Sequence, residues 1–187
     1  MTEISWFPNA TDDQLDEYAR EIWQKCDERI GFVPNVFRAY AWRGDRFRRW
    51  LSYFNEVTRP SDTLGAVERE MIAVAVSMEN GCLYCLVAHG NALRVALEDP
   101  VQGEIVTLDW RRAGLPPRQH AMLEYAIKVT TDPRNCTRGD IESLLAHGFS
   151  EEDVWDIAEI ASLYNATNRM AMAAGFIPNM CYHDTAR

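Results

Sequence analysis

Nowhere in the 187 residues does an apolar run approach the roughly 20 that a helix needs to cross a bilayer. The opening MTEISWFPNA also lacks the basic start and apolar core of an export signal, so the expectation is a cytoplasmic protein with no membrane partner. Positive charge is scarce too. A net charge of -9 and a pI near 4.9 give a surface that phosphates repel, which argues against nucleic acid as a partner while leaving room for a small basic patch. Sustained alternation of polar and apolar residues is missing, and with it the usual sign of a strand. No disulfide-framework spacing appears. The cysteines number five, an odd count that suits a reducing compartment, and the one close pair reads as catalytic or metal-binding rather than structural. Cys26, Cys136 and Cys181 read as bystanders.

What is present has the usual size of one domain, expected to span residues 1–187 with irregular termini near 1–10 and 181–187. The punctuation is helical throughout. Thr11-Asp12-Asp13 is expected to cap a helix running to about Arg29, with Gly31 as its stop. Pro34 opens a short helix to about Trp42, and Gly44 or Asp45 starts another through Val57. Ser61 or Thr63 is a candidate cap for the next. Beyond Asp99-Pro100, helices are expected from about Val101 to Trp110, Pro117 to Thr130 and Thr137 to Ala146. Ser150 to Asp153 reads as a capping box opening a long helix to Ala174. The fold class expected is all-α, a helical bundle. Gly31-Phe32-Val33-Pro34-Asn35-Val36 is echoed by Gly175-Phe176-Ile177-Pro178-Asn179-Met180. The plain reading is a helix stop, an apolar anchor and a proline, with subunit packing as the alternative.

The clustered chemistry lies between Glu68 and His89, EREMIAVAVSMENGCLYCLVAH. The lead-in to Glu70 favours helix, Asn80-Gly81 is a stop, and a second helix should begin near Cys82 and run to about Leu97. If Asn80-Gly81 turns tightly, the two helices are antiparallel neighbours. At about 1.5 Å rise per residue, Glu70 then stands roughly 15 Å back from the turn and His89 roughly 10 Å, so the two can approach. Cys85 and His89 share a helix face. Cys82 and Cys85 occupy a first turn, where free N–H groups favour a thiolate. An imidazole close by could take the thiol proton, with Glu70 orienting the ring. A Cys-x2-Cys pair alone also serves zinc, haem attachment and thioredoxin-like redox. Haem attachment wants a His directly after Cys85, where Leu86 stands, and a thioredoxin motif wants strands. Zinc and a purely structural role stay open on spacing alone.

At these residues the chain resembles a known family. Glu70, Cys82, Cys85 and His89, at the spacing Glu-x11-Cys-x2-Cys-x3-His, are similar to the active site of the alkylhydroperoxidase D (AhpD-like) proteins in the carboxymuconolactone decarboxylase superfamily. Val33 to Ala39, Asn80 to Cys85 and Tyr164 to Arg169 resemble its peroxidase-related branch. The resemblance spans roughly Gly31 to Asn179. It implies an AhpD-like helical bundle and a thiol peroxidase, with Cys85 as the peroxidatic thiol, Cys82 as the resolving one, and His89 with Glu70 as the proton relay. It implies a hydroperoxide substrate, an external dithiol reductant of lipoyl or thioredoxin type, and a homo-oligomer, trimeric or hexameric. No haem, flavin or bound metal is implied as cofactor. Helix-dipole reasoning favours Cys82 as the more acidic thiol, whereas spacing to His89 favours Cys85, and the assignment of roles follows the histidine. Where some family members carry a histidine between the cysteines, this chain has Leu83-Tyr84. The rival readings are lactone decarboxylation, whose branch lacks the cysteine pair, and a non-enzymatic redox sensor. His120, His147 and His183 read as structural. Asn165, Asn168 and Arg169 read as hydrogen-bonding or interface groups ahead of substrate contacts.

Overall fold

The computed structural model describes residues 3–186, which form nine α-helices joined by loops and short 3-10 turns, with no strand among them. The first boundary departs from expectation. Thr11 caps only a 3-10 turn, Asp12–Gln14, whose Gln14 side chain accepts from the Thr11 N–H at 3.2 Å. The chain then extends so that Leu15 is buried, and α1 (Glu17–Ile30) starts afresh at Asp16, whose carboxylate accepts from the Ala19 N–H at 2.8 Å. The anticipated single helix is therefore split, with Leu15 buried between two capped starts. After Gly31 come α2 (Asn35–Ala41) and α3 (Asp45–Val57). Phe47 and Leu51 of α3 pack with Trp23 of α1 in a small core of their own.

The main core is built around α4 (Ala66–Asn80), in which every residue from Met71 to Ser77 is buried. A helix apolar on all sides must be surrounded. Around it lie α5 (Leu83–Leu97), α6 (Pro100–Asp109), α7 (Pro117–Thr131) and α9 (Glu151–Ala173), with α8 (Arg138–Ala146) outside against α7 and α9. Burying Met71, Ile72, Val74 or Val76 contributes roughly 1.5–3 kcal/mol per side chain. The helix starts at Gly65 without a side-chain cap. Ser61 instead closes the preceding loop by accepting from the Leu64 N–H at 3.0 Å, and Thr63 donates to Asp153 at 2.6 Å, so neither caps α4.

A buried cation fixes α4 to its neighbours. Arg69 donates to Leu64 O at 3.1 Å, Val57 O at 2.7 Å and the Asp156 carboxylate at 2.5 Å, joining the end of α3 and the following loop to α9. Removing Asp156, itself partly exposed, would leave the guanidinium its two carbonyl partners and cost about 1.5–3 kcal/mol. The capping box at the start of α9 forms as read: the Asp153 N–H donates to Ser150 Oγ at 3.0 Å and the Ser150 N–H to Asp153 at 2.8 Å.

The echoed segments each follow a helix end marked by a glycine with positive φ, Gly31 (78°) and Gly175 (64°). They also hold one another. Asn35 Nδ2 donates to Ile177 O at 2.9 Å, and its counterpart Asn179 Nδ2 donates to Val33 O at 3.1 Å. Asn179 Oδ1 accepts from the Asn35 N–H at 2.7 Å. The similarity is therefore a reciprocal clasp within one chain, beyond the helix stop that the sequence suggests. The C-terminal segment continues into a 3-10 turn, Met180–His183, where Tyr182 meets Phe32 edge-on at 5.1 Å and Arg94 donates to Tyr182 O at 2.9 Å. Among the described residues, no helix is long and apolar enough to cross a membrane.

Candidate active site

The α4–α5 turn works as the spacing predicts. Gly81, at φ 70°, ends α4, the Cys82 N–H donates back to Ser77 O at 3.0 Å, and Cys82 becomes the N-cap of α5. The helices run back antiparallel, and Glu70 meets His89 with Oε2 2.8 Å from Nδ1. The carboxylate fixes the ring's orientation and leaves Nε2 as the nitrogen available for proton exchange. Tyr164 of α9, fully buried, stands edge-on to the His89 ring at 4.8 Å, and Phe54 of α3, itself edge-on to Tyr164 at 6.1 Å, lies 6.5 Å from the ring.

The two thiols are close enough to share a proton. Cys82 is lowered to about 7, first by the hydrogen bond from the Cys85 thiol, then by the backbone N–H groups of Cys85 and Tyr84 and by the charge of His89. Burial works against these. Cys85 is pushed well up, because it supplies that hydrogen bond, is buried, and faces the negative charge on Cys82. Ser77 and Asn168 pull it the other way. The first negative charge of the pair thus rests on Cys82, the thiol at the helix N-terminus.

Access differs from acidity. Cys85, His89 and Glu70 line a cavity of about 740 Å³, and Cys82, 1% exposed, stands behind. Phe37, Tyr40, Trp50 and Phe54 supply much of the wall, with Tyr40 stacked on Trp50 at 4.1 Å. Tyr84, Tyr182 and Thr185 also line it. The tyrosine hydroxyls stay neutral at ordinary pH: burial raises Tyr40 and Tyr182 to about 12 and takes Tyr84 and Tyr164 well above their usual value. Among the described residues, no group of three or more His, Cys, Asp or Glu side chains is arranged to hold a metal ion.

Of the four residues singled out from the spacing, Glu70, Cys85 and His89 therefore line one cavity, and Cys82 lies buried next to Cys85. The other histidines lie elsewhere: His120 packs on Trp110 at 5.2 Å, His147 bonds to Ser143 O at 2.8 Å, and His183 ends the terminal 3-10 turn. Asn165, Asn168 and Arg169 act as hydrogen-bonding groups: Arg169 Nη1 donates to Asn165 Oδ1 at 2.8 Å, and Asn168 Nδ2 donates to Ser77 at 3.0 Å. Ser77 and Tyr164 were not among the site residues expected. Ser77 carried a signal, as the one polar side chain in the run from Met71 to Met78.

Residues 45–106, which include the whole hairpin site, match the Carboxymuconolactone decarboxylase family. The chain is 38% identical to a peroxidase-related protein from Silicibacter sp. TM1040, with a TM-score of 0.94 over 100% of this chain and 97% of that one. It is likewise 38% identical to a peroxidase-related protein from Ralstonia eutropha JMP134, described as an alkylhydroperoxidase AhpD core, with a TM-score of 0.96 over 100% and 98% of the two chains. The debrominase Bmp8 shares the fold alone, at 15% identity and a TM-score of 0.79 over 98% of this chain and 95% of its own. By sequence match, fold and near-complete overlap with these relatives, the chain belongs to the AhpD-like proteins of the carboxymuconolactone decarboxylase superfamily.

Proposed function

We propose that the protein is a two-cysteine thiol peroxidase that reduces organic hydroperoxides. The observation that carries this reading is the Glu70–His89 contact at 2.8 Å, made in the same cavity wall as the Cys85 thiol. Cys85 passes its proton to the Cys82 thiolate and becomes the nucleophile facing the cavity. Its sulfur attacks the outer oxygen of the hydroperoxide, forming an S–O bond as the O–O bond breaks. The departing alkoxide takes a proton from His89 Nε2 and leaves as alcohol, while Glu70 balances the charge of the ring. Cys82, now a thiol, attacks the Cys85 sulfenic acid: the S–S bond forms, the S–O bond breaks, and water leaves. An external dithiol then returns two electrons and two protons by thiol-disulfide exchange, resetting both sulfurs and, through one of those protons, His89.

The wall of aromatic and apolar side chains favours a hydroperoxide with an apolar body over hydrogen peroxide, since a small polar molecule gains little by entering such a space. The same-family relatives described as peroxidase-related support the reaction class. Steady-state consumption of cumene hydroperoxide, with dihydrolipoamide or thioredoxin as donor, is the test. Wild type is expected to turn over many times per site, and Cys85→Ser to lose turnover by at least a hundredfold. Equal rates for the two would end the proposal. One equivalent of oxidation followed by a stop would favour a redox sensor instead.

A further inference from the structure

Ser77 and Asn168 are each 0% exposed, yet neither belongs to the Glu70–His89 relay. Several hydroxyls within the helices turn back on their own helix: Thr107, Thr130, Thr131 and Ser162 donate to the carbonyl four residues earlier at 2.7 to 2.9 Å. Among the described residues no such bond forms at Ser77. Its oxygen accepts from Asn168 Nδ2 at 3.0 Å, which leaves its own proton available to another acceptor.

The orientation of the Asn168 amide is set from outside. Its Oδ1 accepts from Asn80 Nδ2 at 2.9 Å, and Asn80 Nδ2 donates also to Asn165 Oδ1 at 2.9 Å. Asn165 Oδ1 is held in turn by Arg169, while Asn165 Nδ2 donates to Thr130 Oγ1 and Ala161 O, each at 3.0 Å. Turning Asn168 over would set two amide nitrogens against each other. Its N–H groups are therefore committed to the interior, where α4, α5 and α9 meet. There both Ser77 and Asn168 come within hydrogen-bonding reach of the Cys85 thiol. A neutral thiol is a weak acceptor, whereas a thiolate is a strong one, so buried donors placed here favour the charged sulfur.

We infer that the Ser77 hydroxyl and the Asn168 amide are the donors that stabilise the Cys85 thiolate, held in place by the Asn80–Asn165–Arg169 chain. The inference deepens the peroxidase reading and rests on it for its use in turnover, because it explains how the less acidic thiol becomes the attacking one. The charge that returns to Cys82 at rest finds its own donors, the N–H groups of Tyr84 and Cys85.

The other titratable groups facing Cys85 are Cys82 and His89 on α5, Glu70 on α4, and the tyrosines Tyr40, Tyr84, Tyr164 and Tyr182. The tyrosines stay neutral over the range tested, and the contributions of His89 and Glu70 cancel when two variants are compared in one background.

The experiment uses the full chain carrying Cys82→Ser and follows iodoacetamide alkylation of Cys85 by peptide mass spectrometry from pH 6 to 10. Adding Ser77→Ala removes one oxygen and retains a good helix former. The alkylation curve should move about one pH unit towards alkali, an approximately tenfold loss of rate at pH 7. Asn168→Ala should move it in the same direction. Thermal melting of each variant reports separately on folding. A Ser77→Ala curve that superimposes on its parent overturns the inference, whatever happens to the melting temperature. Alkylation needs no peroxide, so the two ideas fail separately. A wild type without turnover removes the peroxidase and leaves the donors, and an active wild type with an unmoved Ser77→Ala curve removes the donors alone.

Discussion

At the scale of single residues, the site divides two properties that one catalytic thiol usually combines. Cys82 carries the charge at rest, and Cys85 faces the cavity. Because Cys82 is lowered to about 7, both thiols hold protons below that pH and one charge appears above it, while Cys85 stays protonated beside the new anion. Thiolate absorbance near 240 nm should therefore rise by one equivalent with a midpoint near pH 7, and Cys82→Ser should abolish that step. Burial raises Cys26 and Cys136, which keeps them silent there. A midpoint unchanged in Cys82→Ser would put the first charge on another sulfur. The sequence posed this question as a contest between helix dipole and histidine spacing, and it could not resolve it. The answer depends on which thiol donates to the other, a contact within one helical turn that spacing does not encode. Asn168 stood out as a polar group on a helix rich in alanine and methionine, but its attachment to Ser77, 91 residues away, is invisible in one dimension.

At the scale of elements, the hairpin was legible because its logic is arithmetic: a rise per residue, a turn at Asn80-Gly81, and two side chains at matching depth. That turn depends on backbone shape more than on packing. A Cβ at Gly81 would meet nothing within 4 Å, so Gly81→Ala would be disfavoured only through its φ of 70°. The expected cost is about 1–2 kcal/mol, read as a melting temperature lower by several degrees. Peroxidase activity should fall further than stability, because the N-cap that holds Cys82 shifts with the turn. An unaltered melting curve would mean that the turn tolerates a side chain. The start of α1 was less legible. Thr11 and Asp16 are both good caps, and the choice between them was made by burial of Leu15, a tertiary effect.

At the scale of the whole molecule, α4 is the axis, and the buried Arg69 ties it to α3 and α9 through bonds that span 12 to 87 positions of sequence. The Val33-Pro34-Asn35 and Ile177-Pro178-Asn179 clasp belongs to the same class of feature. Its two halves could be seen in the sequence, but that they bind each other could not. Tyr182 and Thr185 lie just beyond it and form part of the cavity wall, so the segment after the clasp also shapes the cavity. Ending the chain after Met180 should leave hydrogen peroxide consumption nearly as it was and raise the KM for cumene hydroperoxide several-fold, since the Tyr182 and Thr185 part of the wall is removed while the clasp and the sulfurs are not. Equal effects on both peroxides would mean that the segment supports the fold as a whole. A cavity walled in part by a short segment outside the helical bundle can change its size selectivity through a handful of codons, with the reacting groups left as they are.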